Sequence, residues 1–319
     1  MYIRQGEDIM SNYEVKKYPE KSWSISKMKV IQNCLREYYY TYYGSHNGWL
    51  YESSDEAKSA WRLKKLTNIT LVFGDKIHEL IRDIVRNNWE SDENKIDVYI
   101  RNKLNKVVRE SIEKYKTGEW DDYPRGEMLQ EYYYGEKLES DKIYEIKEKV
   151  KCCAKGFMES ITYEEIKSSA KKILEVDEGK FDYIMVHGVK VYALLDLLYI
   201  DKDDNYVIVD WKTGKISEYD AEQLMVYVLY VMNKYNIPIE KIKCRVEYLL
   251  LNEYVEYKFT NEDIDIIEEK IKLDINVIDA MVVDSENNIP KPKEDFIRCD
   301  SIRKCNKCKY RKICLKGEI

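Results

Sequence analysis

The sequence has no long apolar run, and its first residues are polar. No stretch approaches the roughly 20 apolar residues that a membrane-spanning helix needs. The N-terminal stretch MYIRQGEDIMSNYEVKKYPEKSW contains no apolar segment like that of a secretion signal. These absences predict a cytoplasmic protein that does not contact a membrane.

The chain also lacks a phosphate-binding loop of the form G-x-x-x-x-G-K-[S/T]. It is therefore not expected to hydrolyse ATP, and any helicase partner would be a separate chain. The net charge of −6 argues against a protein that coats DNA along its whole surface, although a local basic groove is compatible with it. Residues 298–316 form such a basic segment, with eight lysines and arginines against the single acid Asp300.

Length and composition indicate a globular protein with a full hydrophobic core. The 319 residues are 44% hydrophobic and 35% charged. Apolar residues at helical spacing predict helices over 24–43, with Cys34 on the helix, and over 72–89. The charge-rich stretch 90–175 favours helices and predicts a helical insertion.

Strand-like runs dominate from residue 181 onward. Polar turns separate them, and helices are predicted over 220–235 and 261–284. The strands are predicted at 181–186, 189–200, 206–211, 243–251 and 254–259. This order predicts an α/β protein with helices packed on a mixed sheet.

Two aspartates fall on neighbouring predicted strands. Asp196 lies near the middle of the apolar run 189–200, while Asp210 and Lys212 end the next strand, two residues apart and therefore on the same face. A buried carboxylate is costly unless it is paired or binds a metal ion. Both aspartates could bind one Mg²⁺ or Mn²⁺, with Lys212 activating water or stabilising charge on a phosphate. Taken alone, the same residues also fit a surface turn beside an ordinary buried aspartate.

The pattern resembles the motifs of RecB-like nucleases in the PD-(D/E)XK superfamily. The matching residues are Asp196, then Asp210-Trp211-Lys212-Thr213-Gly214, then Gln223-Leu-Met-Val-Tyr227, with Gly74-Asp75-Lys76-Ile77-His78 upstream. The chain is similar above all to the iron–sulfur subgroup, which includes the CRISPR-associated adaptation exonucleases and the nuclease domain of AddB. One departure is Ala193, where the family often has glycine. Residues 90–175 match no family motif.

The resemblance implies a role for each motif residue. Asp196, Asp210, His78 and the main-chain carbonyl of Trp211 would bind the metal ion, and Lys212 would be the catalytic lysine. The remaining two residues, four apart on one helical face, would support the lysine or the DNA strand; they are Gln223 and Tyr227. Without the motif, a lone histidine and two helix residues would be interpreted as ordinary structural positions.

The cysteines follow the same resemblance. Eight cysteines without a secretion signal are expected to be metal ligands or buried thiols rather than disulfides. In the iron–sulfur subgroup one cysteine precedes the core and three follow it as C-x2-C-x5-C, matched here by Cys34, Cys305, Cys308 and Cys314. A [4Fe-4S] cluster and a four-thiolate zinc site need the same number of ligands, so spacing leaves both open. The others are predicted to be spare or inert thiols: Cys152, Cys153, Cys244 and Cys299.

The resemblance also implies a fold and a function. A single nuclease domain over 1–319 would have a restriction-endonuclease-like core: a mixed central sheet flanked by helices. Its expected parts are N-terminal helices (24–89), a helical insertion (90–175), the catalytic core (176–285) and the cysteine region (286–319).

The implied activity is metal-dependent DNA hydrolysis. The chain would be an exonuclease acting on single-stranded DNA or DNA ends, with a separate helicase or CRISPR-type partner protein. One alternative is a non-cleaving DNA-binding or assembly subunit, which would not need Asp196, Asp210 and Lys212 together. Another is a zinc-stabilised hydrolase of a different phosphate ester.

Overall fold

Residues 15–176 and 182–315 are described by a computed structural model, and the chain divides into two units. The central unit comprises Lys21–Gln32 and Lys65–Ala280. The terminal unit comprises Met1–Glu20, Asn33–Lys64 and Met281–Ile319. Among the described residues, no helix is long and apolar enough to cross a membrane.

Ten strands belong to the central unit. They are β1 (Ser22–Trp23), β2 (Leu66–Thr67), β3 (Met128–Leu129), β4 (Lys172–Val176), β5 (Asp182–Val186), β6 (Val189–Ala193), β7 (Leu197–Ile200), β8 (Tyr206–Lys212), β9 (Ile242–Tyr248) and β10 (Glu253–Tyr257), within the described part of the chain. Five strands form a sheet in the order β10-β9-β8-β7-β4, where β8 and β9 run parallel and the other pairs antiparallel. A second sheet has the order β1-β6-β5. The predicted α/β class with a mixed sheet is confirmed.

Most helices also belong to the central unit. The helices are α1 (Ile25–Asn33), α2 (Leu35–Tyr39), α3 (Asp55–Lys64), α4 (Ile69–Asn87), α5 (Glu93–Thr117), α6 (Glu119–Asp122), α7 (Gln130–Tyr133), α8 (Ser140–Met158), α9 (Ile161–Ser168), α10 (Tyr219–Tyr235), α11 (Asn261–Asp279), α12 (Ile302–Lys307) and α13 (Arg311–Cys314). Of these, α2, α3, α12 and α13 lie in the terminal unit.

Strand β8 is buried on both faces, which explains its apolar sequence. On one face Val207, Val209 and Trp211 join a single apolar cluster with α4, α5 and α8. Because side chains alternate along a strand, Asp210 and Lys212 point to the other face, which α10 covers. The side chains of Asp210 and Lys212 are therefore placed between the sheet and α10.

The apolar run 189–200 forms two strands rather than the single predicted one. Strand β6 belongs to the three-stranded sheet and β7 to the five-stranded sheet, and residues 194–196 between them are in neither. The prediction that Asp196 lies mid-strand is therefore wrong. The break was not visible in the sequence because the residues on both sides of it are buried, in two different sheets.

Cys34 separates two helices instead of lying within one. Helix α1 ends at Asn33, and Cys34 has extended backbone angles (φ −167°, ψ 120°) before α2 begins. A π-helical turn, Tyr40–Gly44, follows. The prediction of one continuous helix over 24–43 is therefore wrong. The extended residue directs its Sγ to the backbone N–H of Cys299, which donates to it at 3.4 Å.

Other predicted elements are present with shifted bounds. The helix predicted over 72–89 is α4, the helix over 220–235 is α10, and the helix over 261–284 ends earlier as α11, before a short strand. The predicted helical insertion contains α5 to α9, but it also contains β3 and most of β4. Phe181 and Lys316, included in the predicted strand and basic segment, lie outside the described residues.

The terminal unit is held together largely by aromatic residues. A two-stranded pair, β11 (Val282–Asp284) and β12 (Ile289–Pro290), precedes its last helices. The ring of Tyr40 stacks on Tyr310 at 5.4 Å, and Tyr39 packs on Phe296 at 5.1 Å. Thr41 Oγ1 donates to the Tyr310 hydroxyl at 3.1 Å. These contacts join residues about 270 positions apart within one unit.

Candidate functional site

Helix α4 carries His78 to the end of β8. Its apolar stripe is buried, and Gly74 lies where the helix approaches Thr213, just beyond the strand. A Cβ at Gly74 would be 3.3 Å from Thr213 Oγ1, tighter than most packed contacts. One turn later, His78 Nδ1 lies 3.0 Å from Asp196 Oδ1. The upstream motif predicted from the sequence therefore contacts the predicted acidic site.

Asp196 closes the end of the β7–β8 ladder. The last pair of that ladder is Leu197 with Val209, so Trp211 has no partner on β7. The second oxygen of Asp196, Oδ2, accepts a hydrogen bond from the Trp211 backbone N–H at 2.8 Å. The break in the strand at residues 194–196 thus lets a carboxylate replace a backbone partner.

Asp210, Lys212 and Gln223 form a connected set on the other face of β8. The Lys212 ammonium lies 2.7 Å from Asp210 Oδ2 and donates to Gln223 Oε1 at 2.8 Å. The Gln223 amide donates in turn to Asp210 Oδ1 at 3.3 Å and to the Tyr227 hydroxyl at 2.6 Å. Together with the contact between His78 and Asp196, these contacts include the side chain of every predicted site residue except Trp211. The Trp211 side chain packs in the core, and its backbone N–H bonds to Asp196.

The charges in this set shift one another's pKa values. Burial and the charge of Asp196 raise the pKa of Asp210 to about 6, although Lys212 opposes the shift. Burial alone would lower the pKa of His78, but the carboxylates of Asp196 and Asp210 outweigh it and raise the pKa to about 9. Burial would likewise lower the pKa of Lys212, and Asp210 raises it above its usual value. The carboxylates of Asp196 and Asp210 therefore favour the protonated, positively charged forms of His78 and Lys212.

The Asp210 carboxylate is almost completely buried. Asp210 is only 4% exposed, and its Oδ2 accepts no hydrogen bond, although the Lys212 ammonium lies 2.7 Å away. A buried carboxylate beside a second carboxylate suits a hard cation such as Mg²⁺ or Mn²⁺. Within residues 15–176 and 182–315, however, no group of three or more His, Cys, Asp or Glu side chains is arranged to hold a metal ion. In this structure the two carboxylates are paired instead with His78 and Lys212.

Two further residues complete the site and were not predicted from the sequence. Asp220, in the first turn of α10, lies with its Oδ1 3.8 Å from the Lys212 ammonium. Its Oδ2 accepts a hydrogen bond from the Tyr248 hydroxyl at 2.7 Å. The spacing of Asp220 three residues before Gln223 places both on one helical face, a signal that the sequence contained. No comparable signal marked Tyr248, which is contributed by β9.

Five cysteines line one cavity in the terminal unit: Cys34, Cys299, Cys305, Cys308 and Cys314. The Sγ atoms of Cys299 and Cys305 are 3.9 Å apart, and the Tyr310 backbone N–H donates to the Cys308 Sγ at 3.4 Å. Burial raises the pKa of Cys308 to about 12 and also raises that of Cys314. The four predicted ligands are brought together, and Cys299, predicted to be spare, is among them.

The remaining cysteines lie apart from this cavity in the sequence and in the fold. Cys152 is exposed on α8, while Cys153 and Cys244 are buried in the central unit.

Comparison with known proteins shows the family to which the chain belongs. No curated protein matches the chain. The family profile of the PD-(D/E)XK nuclease superfamily matches residues 22–315, which is most of the sequence. Nucleases of this superfamily use divalent metal ions such as Mg²⁺ or Mn²⁺. The match covers both units and every residue of the site described above, and the chain belongs to the PD-(D/E)XK nuclease superfamily.

Proposed function

We propose that the chain hydrolyses phosphodiester bonds in DNA as a divalent-metal-dependent exonuclease. Its substrate would be single-stranded DNA or a DNA end, and it would belong to the RecB-like iron–sulfur subgroup of the superfamily. The observation that supports the activity is the arrangement at the end of β8, where His78 contacts Asp196 while Asp210, Lys212 and Gln223 contact one another. The backbone N–H of Trp211, between Asp210 and Lys212 in the chain, bonds to Asp196 and links the two groups.

Each residue has a role in this proposal. Asp196 and Asp210 would hold the metal ion, together with His78 and the carbonyl of Trp211. The bound ion would supply positive charge to polarise the phosphate and acidify a water molecule. Lys212 remains beside the metal ligands and places an ammonium where negative charge develops on the phosphate.

Gln223 and Tyr227 support that lysine. Gln223 bonds to Lys212 through its oxygen and to Asp210 through its nitrogen, so it fixes the distance between them. Tyr227 orients the Gln223 amide. Lysine and carboxylate are thereby held in place before substrate binds, which lowers the cost of ordering them during the reaction.

An exposed aromatic residue next to the site favours a single-stranded substrate. Tyr219 is the first residue of α10, adjacent to Asp220, and 42% of it is exposed. The Lys29 ammonium lies over its ring, 5.5 Å from the centroid. Unpaired bases stack on exposed aromatic rings, and a nearby cation attracts the phosphate backbone. We infer that Tyr219 and Lys29 bind the DNA strand that enters the site.

Replacing Tyr219 with alanine is expected to raise the KM for single-stranded DNA about tenfold, since stacking of one base contributes ~1–3 kcal/mol. The kcat should change little, because the hydrogen-bonded set remains intact. Tyr219→Phe keeps the ring and should retain a KM close to that of the unmodified protein. Steady-state cleavage of a fluorescent single-stranded oligonucleotide measures both constants.

Tyr254 provides a matched control on the opposite face of the sheet. It is 52% exposed and also has a cation over its ring, the Arg245 guanidinium at 5.7 Å. It pairs with Glu247, whose side chain lies on the Trp211 side of the sheet. Tyr254→Ala should leave KM unchanged, and an equal rise in KM for both alanine variants would refute a specific role for Tyr219.

The decisive test of the activity uses DNA labelled at one end. The protein is incubated with linear single-stranded, linear double-stranded and circular single-stranded DNA, with Mn²⁺ or with a chelator. Metal-dependent release of short products from linear single strands, with circles left intact, is expected for an exonuclease. Cleaved circles would overturn the exonuclease assignment. Binding without cleavage of any of these three DNAs would favour the non-cleaving DNA-binding alternative.

We further propose that the cysteines of the terminal unit hold a [4Fe-4S] cluster through Cys34, Cys305, Cys308 and Cys314. The support is that these four thiols line one cavity. Buried thiols whose pKa is raised, as for Cys308, must lose a proton to become ligands, so cluster binding would release protons and be favoured at higher pH.

A further inference from the structure

Asp220 is a buried carboxylate that the proposed reaction does not explain. Only 5% of the residue is exposed, and burying a charged group is costly unless another charge compensates it. The Lys212 ammonium lies 3.8 Å from Asp220 Oδ1. Lys212 is therefore placed between two carboxylates, those of Asp210 and Asp220.

The other oxygen of Asp220 is firmly held. Its Oδ2 accepts hydrogen bonds from the Ser217 backbone N–H at 3.0 Å and from the Tyr248 hydroxyl at 2.7 Å. Tyr248 is completely buried and is the register partner of Lys212 across the parallel β8–β9 pair. Because both donors are neutral, they fix the orientation of the carboxylate without cancelling its charge. The remaining oxygen is turned towards Lys212.

We propose that Asp220 is a positioning residue that holds the Lys212 ammonium at the edge of the metal site. This inference rests on the proposed function of Lys212. A metal ion held by the Asp210 oxygens would weaken the attraction of Asp210 for Lys212. Asp220 and Gln223 would then keep the lysine within reach of the phosphate. Ser217 and Tyr248 act one step further out, by holding Asp220.

Asp220→Asn tests the proposal, because asparagine keeps the shape and an oxygen that can accept from Ser217 and Tyr248. We expect kcat for single-stranded DNA to fall about 10- to 100-fold, the range typical of residues that orient a functional group at a metal site. The KM for DNA and the affinity for Mn²⁺, measured by calorimetry, should stay within about twofold, since Asp220 contacts neither in this proposal.

Tyr248→Phe gives a second, milder variant that preserves packing. It should lower kcat about fivefold, because it removes one of the two hydrogen bonds that orient the Asp220 carboxylate, and it should have no further effect in combination with Asp220→Asn. This variant also decides the question if Asp220→Asn fails to fold. Additive losses in the double variant would show that Tyr248 does not act through Asp220 and would overturn the proposed chain of contacts.

A readout independent of cleavage separates this inference from the proposed function. Lysines are labelled with acetic anhydride, without metal or DNA, and the labelling rate of Lys212 is compared with that of Lys215 by mass spectrometry. In the Asp210→Asn background, which removes the closer carboxylate, adding Asp220→Asn should label Lys212 severalfold faster than Asp210→Asn alone, because neither carboxylate then holds the amine. If the unmodified protein cleaves no DNA, the proposed function fails while the labelling still tests Asp220. Unchanged labelling, or a kcat within twofold of the unmodified protein, would overturn the inference.

Discussion

Asp210→Asn is expected to lower the rate of DNA cleavage by about a thousandfold or more. A metal ion that polarises a phosphate lowers the barrier by several kcal/mol, and ~4 kcal/mol corresponds to about a thousandfold in rate. Asparagine has the size of aspartate but only one oxygen and no charge. The substitution would remove one of the two buried carboxylate oxygens that make Asp210 suitable as a metal ligand. The rate is measured with excess enzyme over labelled single-stranded DNA in Mn²⁺.

The same substitution should not destabilise the fold. Burial and the charge of Asp196 raise the pKa of Asp210 to about 6, above the ordinary range. Because the folded-state pKa is raised, the stabilising form is the protonated one, and this contribution is lost as the pH rises through the folded pKa. At neutral pH the ionised carboxylate therefore costs folding free energy, which a neutral asparagine avoids. We expect a thermal midpoint equal to or above that of the unmodified protein.

Asp204→Asn is a matched control for this prediction. Asp204 lies in the turn before β8, has a positive φ of 63° that asparagine tolerates well, and forms an exposed ion pair with Lys171 at 2.7 Å. Exposed pairs of this kind contribute little to stability. Its removal should change neither the cleavage rate nor the thermal midpoint. Cleavage by Asp210→Asn at the rate of this control would contradict the proposed metal site.

Local sequence patterns predicted the elements that build the sheet. Strand β8 and helices α4 and α10 have clear apolar periodicity, and a carboxylate and a lysine two positions apart must share a face of a strand. The juxtaposition of His78 with Asp196 was available only from the family resemblance. No local rule brings together residues 118 positions apart in the chain.

The errors came from places where tertiary structure overrides local pattern. The run 189–200 is apolar throughout because both β6 and β7 are buried, so the change of sheet at Asp196 left no mark. Cys34 interrupts a helical pattern because its side chain is directed to Cys299, a contact made across the sequence. Tyr248 could not be assigned to the site because the register of β8 with β9 determines that it faces Lys212.

The second large effect concerns the cysteines of the terminal unit. Protein purified without oxygen should be brown and contain about four irons per chain, as four thiolates and a cubane cluster require. Cys34→Ser and Cys308→Ser should each bleach it, because each removes one of four ligands. Cys152→Ser is the matched control, since Cys152 is exposed on α8 in the central unit. That variant should keep its full iron content and colour.

Loss of the cluster should loosen the terminal unit selectively. Cys34 and Cys308 are about 270 positions apart, and a shared cluster would offset the chain entropy of holding them together. Bleached variants should therefore be cut by protease near both ends of the chain, while a fragment containing the central unit persists. Contacts such as Arg36 Nε to the Phe296 carbonyl at 2.8 Å are expected to slow this cleavage without preventing it.

Cys299 decides how the Cys34 result is interpreted. Its Sγ lies 3.9 Å from that of Cys305 and its N–H bonds to Cys34, so it is close enough to replace a lost ligand. Cys299→Ser alone should keep the iron, whereas Cys34→Ser combined with Cys299→Ser should lose any iron that Cys34→Ser retains.

A colourless protein with one zinc per chain would instead establish a four-thiolate zinc site. Full iron in the double variant would show that neither cysteine is a ligand. The nuclease assignment would survive either outcome, because it rests on a separate set of residues, His78, Asp196, Asp210 and Lys212.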